Sequence, residues 1–150
     1  SNGSIKKIEV TNSKSDGVDM DFSEFFIKEA KIINSQGDCL DFSYGSYKIE
    51  YADLSNCLDK GVSSGEESIV DINKIKINNS NMGLVSKDFS QLYINNAIIK
   101  NSDWCLQAYN KKSEFSGGLL NVKNLNCNES INIDDHIKSD YRSKILFENF

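Results

Sequence analysis

Acidic and basic side chains recur at matched places in this sequence: Asp16, Asp19, Asp38, Asp41, Asp59, Lys60, Glu66, Lys87 and Asp88. Lysines that hold carboxylates beside acids that accept sugar hydroxyls would make a binding groove for an anionic or neutral glycan. Two or three clustered aspartates, such as Asp38, Asp41 and Asp59, would instead supply the acid and base of a hydrolase. Asp16, Asp19, Asp38 and Asp41 offer the oxygens that a hard cation such as calcium takes, although their spacing matches no calcium-loop motif. The structural reading is an ion-pair ladder in which each exposed pair contributes at most about 1 kcal/mol. Asp19 and Asp41 fit that reading, since they fall in one repeating column.

Aromatic residues add a second set of candidates. Tyr44, Tyr47, Tyr51, Tyr93, Trp104 and Tyr109 are amphipathic rings of the kind that stack on sugars or seal corners. Trp104 and Tyr109 stand out because they flank an insertion, and Lys111 and Lys112 lie inside it. Cys39, Cys57, Cys105 and Cys127 lack the close pairs of a metal motif, and the single His136 lies outside the repeat, so neither a metal centre nor a cysteine nucleophile is expected. Cys39 and Cys105 share a column three coils apart, roughly 14 Å, beyond disulfide reach. Free buried thiols are the expectation.

These residues are positioned by a repeat. The strings beginning at Ile8, Ala30, Ala52, Ile75 and Ala97 start 22, 22, 23 and 22 residues apart. Aligning them produces apolar columns: Ile5, Ile27, Ile49, Ile72 and Ile94; Ile8, Ala30, Ala52, Ile75 and Ala97; Val10, Ile32, Leu54, Ile77 and Ile99. A polar or variable position separates the second and third columns, as a strand with inner and outer faces requires. A corner column of Asn12, Asn34, Asn56, Asn79 and Asn101 follows, where asparagine tolerates unusual backbone angles and can bond its counterpart in the next coil. Beyond the corner, Val18, Leu40, Val62, Leu84 and Leu106 begin a second strand, and a short third strand closes each coil at the Ile5 column.

A leucine-rich repeat shares the period but would need leucine two residues after the Asn/Cys position, where this chain has Ser15, Gly37, Asp59, Met82 and Trp104. The reading is therefore all-β: a right-handed, single-stranded parallel β-helix of about 22 residues per coil and five to six coils over residues 1–127. Val122 lies 28 residues after Ile94, so about six residues are inserted. They fall near residues 110–118 and should form a protruding loop. Residues 128–150 lose the register and read as an irregular C-terminal cap, with Ile145, Leu146, Phe147 and Phe150 as its apolar face.

Composition agrees. There is no proline, and 18 Asn and 21 Ser favour turns and polar ladders over amphipathic helices. A net charge of −5 with a single arginine, Arg142, argues against a nucleic-acid partner. No apolar run long enough to enter a membrane is present. The chain begins and ends inside patterned sequence, as expected for part of a longer protein, and the open ends of such a stack could join further copies.

The columns, with the stretches GDCLDFS, DKGVSSGE, GLVSKDFS and AYNKKSEF, resemble a bacterial parallel β-helix subfamily of larger surface or envelope proteins within the pectin-lyase-like superfamily. The resemblance covers residues 4–127. It implies an extracellular or envelope setting and the β-helix fold, but the superfamily includes lyases, hydrolases, epimerases and purely structural rods. Its lyases use a basic residue to remove a proton α to a uronate carboxylate, roles that Lys60, Lys87, Lys111 and Lys112 could fill, commonly with an arginine nearby that this region lacks.

The expectation is thus a non-catalytic module of a surface or envelope protein, a rigid spacer or a glycan- or protein-binding face without a cofactor. The alternative is a lyase or epimerase acting on an acidic polysaccharide. The candidate ligand-binding set is Asp38, Asp41, Asp59, Lys60, Glu66, Lys87, Asp88, Trp104, Tyr109, Lys111 and Lys112. A spacer should show alternating charges along a flat face, an enzyme a concave groove where lysines and acids converge.

Overall fold

The computed structural model describes residues 1–130 and 132–150. Long strands β1 (Asn2–Ser13), β3 (Glu24–Ser35), β5 (Ser46–Gly65), β6 (Ile69–Lys87), β7 (Gln91–Tyr109), β8 (Leu119–Cys127) and β10 (Lys144–Asn149) stack in chain order. Short strands β2 (Val18–Asp21), β4 (Leu40–Ser43) and β9 (Ile137–Ser139) complete the second side, and a 3-10 turn spans Ile133–His136. Every described pairing is parallel. The result is an all-β parallel solenoid.

Register follows the repeat residue by residue. Ile5 pairs with Ile27, then Ile49, Ile72, Ile94 and Val122, and the second and third columns continue to Leu125 and Cys127. Ile27, Ile32, Leu54, Ile72 and Leu84 are wholly buried, each contributing about 1.5–3 kcal/mol relative to an exposed side chain. Phe42 stacks on Tyr47 inside the coil, with centroids 4.6 Å apart. One rung further on, Ser64 stands at the place of Phe42 and Val70 at that of Tyr47; Ser64 and Ser68 share a hydrogen bond of 2.9 Å, and Ser90 Oγ donates to the Ser64 carbonyl at 2.7 Å.

The first corner is built as its asparagines suggest. Asn12, Asn34, Asn56, Asn79 and Asn101 all have positive φ, between 53° and 67°, a region costing other L-residues about 1–2 kcal/mol. Their amides form a ladder: Asn34 Nδ2 donates to Asn12 Oδ1 at 2.8 Å, Asn56 to Asn34 at 2.7 Å and Asn79 to Asn56 at 2.9 Å. Asn101 steps sideways and donates to Asn78.

The free-thiol expectation is corrected. Cys39 bonds Cys57 and Cys105 bonds Cys127, leaving no free cysteine. Both bridges join different columns of adjacent rungs across the first corner, which a comparison within one column does not consider. The Cys39 column otherwise holds glycine, for a steric reason. A Cβ on Gly17 would sit 2.5 Å from Ile32 Cγ2, and one on Gly61 2.7 Å from Ile77 Cδ1. Where Leu54 or Cys127 replaces isoleucine in the third column of the next rung, the facing position carries Cys39 or Cys105.

The stack is also longer than five to six coils. Ile137–Ser139 pairs with Leu106–Ala108, and β10 pairs with β8 through Phe147 opposite Val122, so the 128–150 segment includes a seventh rung. It reaches this register because Ile137 and Phe147 extend the apolar columns. The 110–118 loop, exposed from Lys111 to Glu114, is tied back to the stack. Phe89 N donates to the carbonyls of Ser116 and Gly117 at 3.0 Å, and Phe115 reaches back to Tyr44 with centroids 6.3 Å apart. These contacts lie at the second corner, between the second and third strands of each coil, where they satisfy backbone groups that an open loop would leave to water. No helix among the described residues is long and apolar enough to cross a membrane.

Candidate functional site

The solenoid gathers the acid and lysine candidates on the outside of the second strand and the second corner, which follows it. Between the Ser35–Cys57 and Leu40–Val62 pairings the strand ladder is interrupted. Aspartates fill that place: Asp38 N donates to Asp16 Oδ1 at 2.8 Å, and Lys60 N donates to Asp38 Oδ1 at 3.1 Å. The repeating aspartates therefore act as side-chain rungs of the ladder. Lys60 Nζ sits 2.8 Å from Asp59 Oδ2 and 3.7 Å from Asp38 Oδ1, which couples two rungs through one ammonium.

A second group surrounds the loop. Asp88 is fully buried, and its Oδ1 accepts from the backbone N–H of Lys111 at 2.7 Å and of Lys112 at 2.8 Å. Glu66 accepts from Ser43 Oγ at 2.6 Å through Oε2 and meets Lys112 Nζ at 2.8 Å through Oε1. Asn110 Nδ2 donates to the carbonyls of Lys112, Phe115 and Ser116, each at 2.9 Å. Lys111 thus enters the cluster through its backbone N–H, and Lys112 through both backbone and ammonium.

Burial governs the electrostatics. Asp38, Lys60, Glu66 and Lys87 are 6 to 8% exposed, too little for freely solvated charges. Burial pushes the Asp38 carboxyl up to about 6; Lys60 pulls against this, while Asp59 and Asp16 add to it. Asp41 is likewise raised to about 6 by burial and then by Asp38, with Lys87 opposing. Burial pulls the Lys60 ammonium down, but its bond to Asp59 and the charge of Asp38 prevail, so its pKa is raised. Burial alone would raise Glu66, yet its bonds to Lys112 and Ser43 bring it below the ordinary carboxylate range. Tyr109, opposite Lys87 in register, is raised first by burial, with Lys60 opposing and Asp59 adding to the rise.

Three of the four aspartates considered for calcium converge: Asp16, Asp38 and Asp41 each bring an oxygen within 4.8 Å of the others. Calcium takes six to eight oxygens. Lys60 stands beside Asp38, and the charge of Lys87 acts on Asp41. Trp104 lies in the column of Lys60 two rungs along, beyond Met82, with Lys138 Nζ 5.7 Å from its ring centroid.

Grooves of 280 to 430 Å³ open along the asparagine corner and beside the first two rungs. On the first long strand, Glu9, Lys31, Asp53 and Lys76 follow one another in register, alternating in sign. The second corner adds an aromatic feature that the sequence does not announce: Phe22 and Tyr44 stack face to face, 4.4 Å apart with planes 3° from parallel. The available signal was an aromatic pair 22 residues apart at a turn. Both adopt positive φ, 51° and 46°, which costs about 1–2 kcal/mol per residue.

No family model, curated protein or solved structure matches this chain.

Proposed function

We propose that this chain is a non-catalytic β-helical module of a bacterial surface or envelope protein, related to the pectin-lyase-like rods, that serves as a rigid spacer and presents a glycan- or protein-binding face. One observation carries the reading: the residues with catalytic potential serve as fasteners between rungs. Asp16 and Asp38 complete the backbone ladder, Asp88 holds the loop, and Lys60 joins Asp38 to Asp59. A lyase base needs a lysine whose pKa is depressed, whereas Lys60 is held protonated. The two interrung disulfides suit an oxidising, extracellular or envelope setting.

A second reading, a carbohydrate-active enzyme, draws on Asp38 and Asp41, whose carboxyls near 6 lie in the range of general acids. A product assay on acidic polysaccharides separates the two, run on the native chain, Lys60→Ala and Lys87→Ala. The expected result is no cleavage or epimerisation, with Lys60→Ala losing about 1.5–3 kcal/mol of stability because a hydrogen bond to a charged group is removed. Turnover abolished by Lys60→Ala while the fold persists would replace the module with an enzyme.

A further inference from the structure

We infer that a shallow trough beside the first two rungs, floored by the Phe22–Tyr44 stack, binds a neutral oligosaccharide; this rests on the glycan-binding half of the reading above and relocates it away from the lysine cluster. Backbone preference does not explain the stack. At the first corner the five repeat positions from Asn12 to Asn101 with positive φ carry asparagine, whereas the second corner places Phe22, Tyr44, Glu66, Glu67, Asp88 and Phe89 in that region, and of these Phe22 and Tyr44 stack face to face. Phe22 leaves 69% of its surface in water. An aromatic held in a conformation that other residues adopt more easily, with its ring open to solvent, is available to a ligand.

The surroundings fit a sugar. One groove of about 430 Å³ is lined by Phe22, Ser23, Glu24, Tyr44 and Ser46 among others. It shares Glu24 and Ser46 with a second of about 360 Å³ that reaches Phe26 and Lys48. Phe26 is also exposed, so aromatic surface marks both ends of the trough, at most about 14 Å apart along the chain. Between them, the Glu24 carboxylate, the Lys48 ammonium and the Ser46 hydroxyl carry no side-chain hydrogen bond or ion pair among the described residues. A pyranose presents an apolar C–H face and a rim of hydroxyls, which matches a ring with donors and acceptors beside it. One acidic and one basic side chain favour a neutral chain over a polyanion.

The test is isothermal titration of the full chain with cellohexaose, xylohexaose, mannohexaose and chitohexaose, and with polygalacturonate as the charged comparator. Binding of at least one neutral hexasaccharide is expected, weakened about tenfold or more by Phe22→Asn and retained by Phe22→Trp. Asparagine suits the positive φ at position 22, so Phe22→Asn should fold at least as well as the native chain, and its melting curve verifies that. Glycan binding unchanged in Phe22→Asn would overturn this placement while leaving a glycan-binding face elsewhere. No binding of any neutral hexasaccharide at millimolar concentration would overturn the inference and leave the proposed function with the spacer and a face for a charged glycan or a protein. Self-association in sedimentation velocity that Phe22→Asn abolishes would assign the stack to a second copy and also overturn it.

Discussion

Stability should rise as the pH falls from 7.5 to 5, and Asp41→Asn should remove part of that slope. Asp38 and Asp41 are raised from 3.8 to about 6 in the folded chain. Between those values the folded state binds more protons than the unfolded state, so stability decreases with rising pH across that window. Two pKa units correspond to about 3 kcal/mol per group. Both carboxylates keep some contact with water and Asp41 responds to Asp38, so about 2 kcal/mol for the pair is the appropriate scale. For a chain of this size that amounts to about 4–8 °C in melting temperature. Asp41→Asn removes a carboxylate that burial disfavours and should raise the melting temperature at pH 7.5 by about 2–4 °C, with little change at pH 5. Thermal unfolding monitored by circular dichroism measures the slope, and carbonyl NMR titration assigns it. A melting temperature that falls between pH 7.5 and 5, or an Asp41→Asn variant less stable at pH 7.5, would refute the reasoning.

Thiol titration of the denatured, unreduced chain should find no free cysteine; restoring the neighbouring column residues with Cys39→Gly and Cys57→Ser should cost about 3 kcal/mol through the loop released, measured by urea unfolding. Asn56 both donates to Asn34 and accepts from Asn79 at positive φ. Asn56→Ala should therefore lose about 2–3 kcal/mol, and Asn56→Gly clearly less because glycine keeps the backbone unstrained; equal losses in the same unfolding assay would discount the backbone share. Asp88→Ala removes the buried acceptor of the Lys111 and Lys112 amides. Hydrogen exchange should then accelerate at those two amides, with trypsin cutting at Lys111 and Lys112, while the protection of β5 and β6 is kept.

The fold was legible because an in-register parallel stack puts each residue against its counterpart one rung away. The same backbone environment recurs every 22 or 23 residues, so the columns from Ile5 to Ile94 and the asparagines from Asn12 to Asn101 reveal rung length, strand direction and corner without any long-range contact being known. The aspartate–lysine proximity was visible for the same reason, Asp38 and Lys60 being 22 residues apart. Contacts that leave a column were not. The bridge from Cys39 to Cys57 depends on how sharply the first corner turns, the Phe115 contact with Tyr44 on which way an inserted loop folds, and the seventh rung on where the chain re-enters the stack after the 3-10 turn. Periodicity records position along the solenoid axis. The shape of its cross-section, which brings different columns together and makes Asp38 a ladder acceptor instead of a free carboxylate, is set only when the side chains pack in three dimensions.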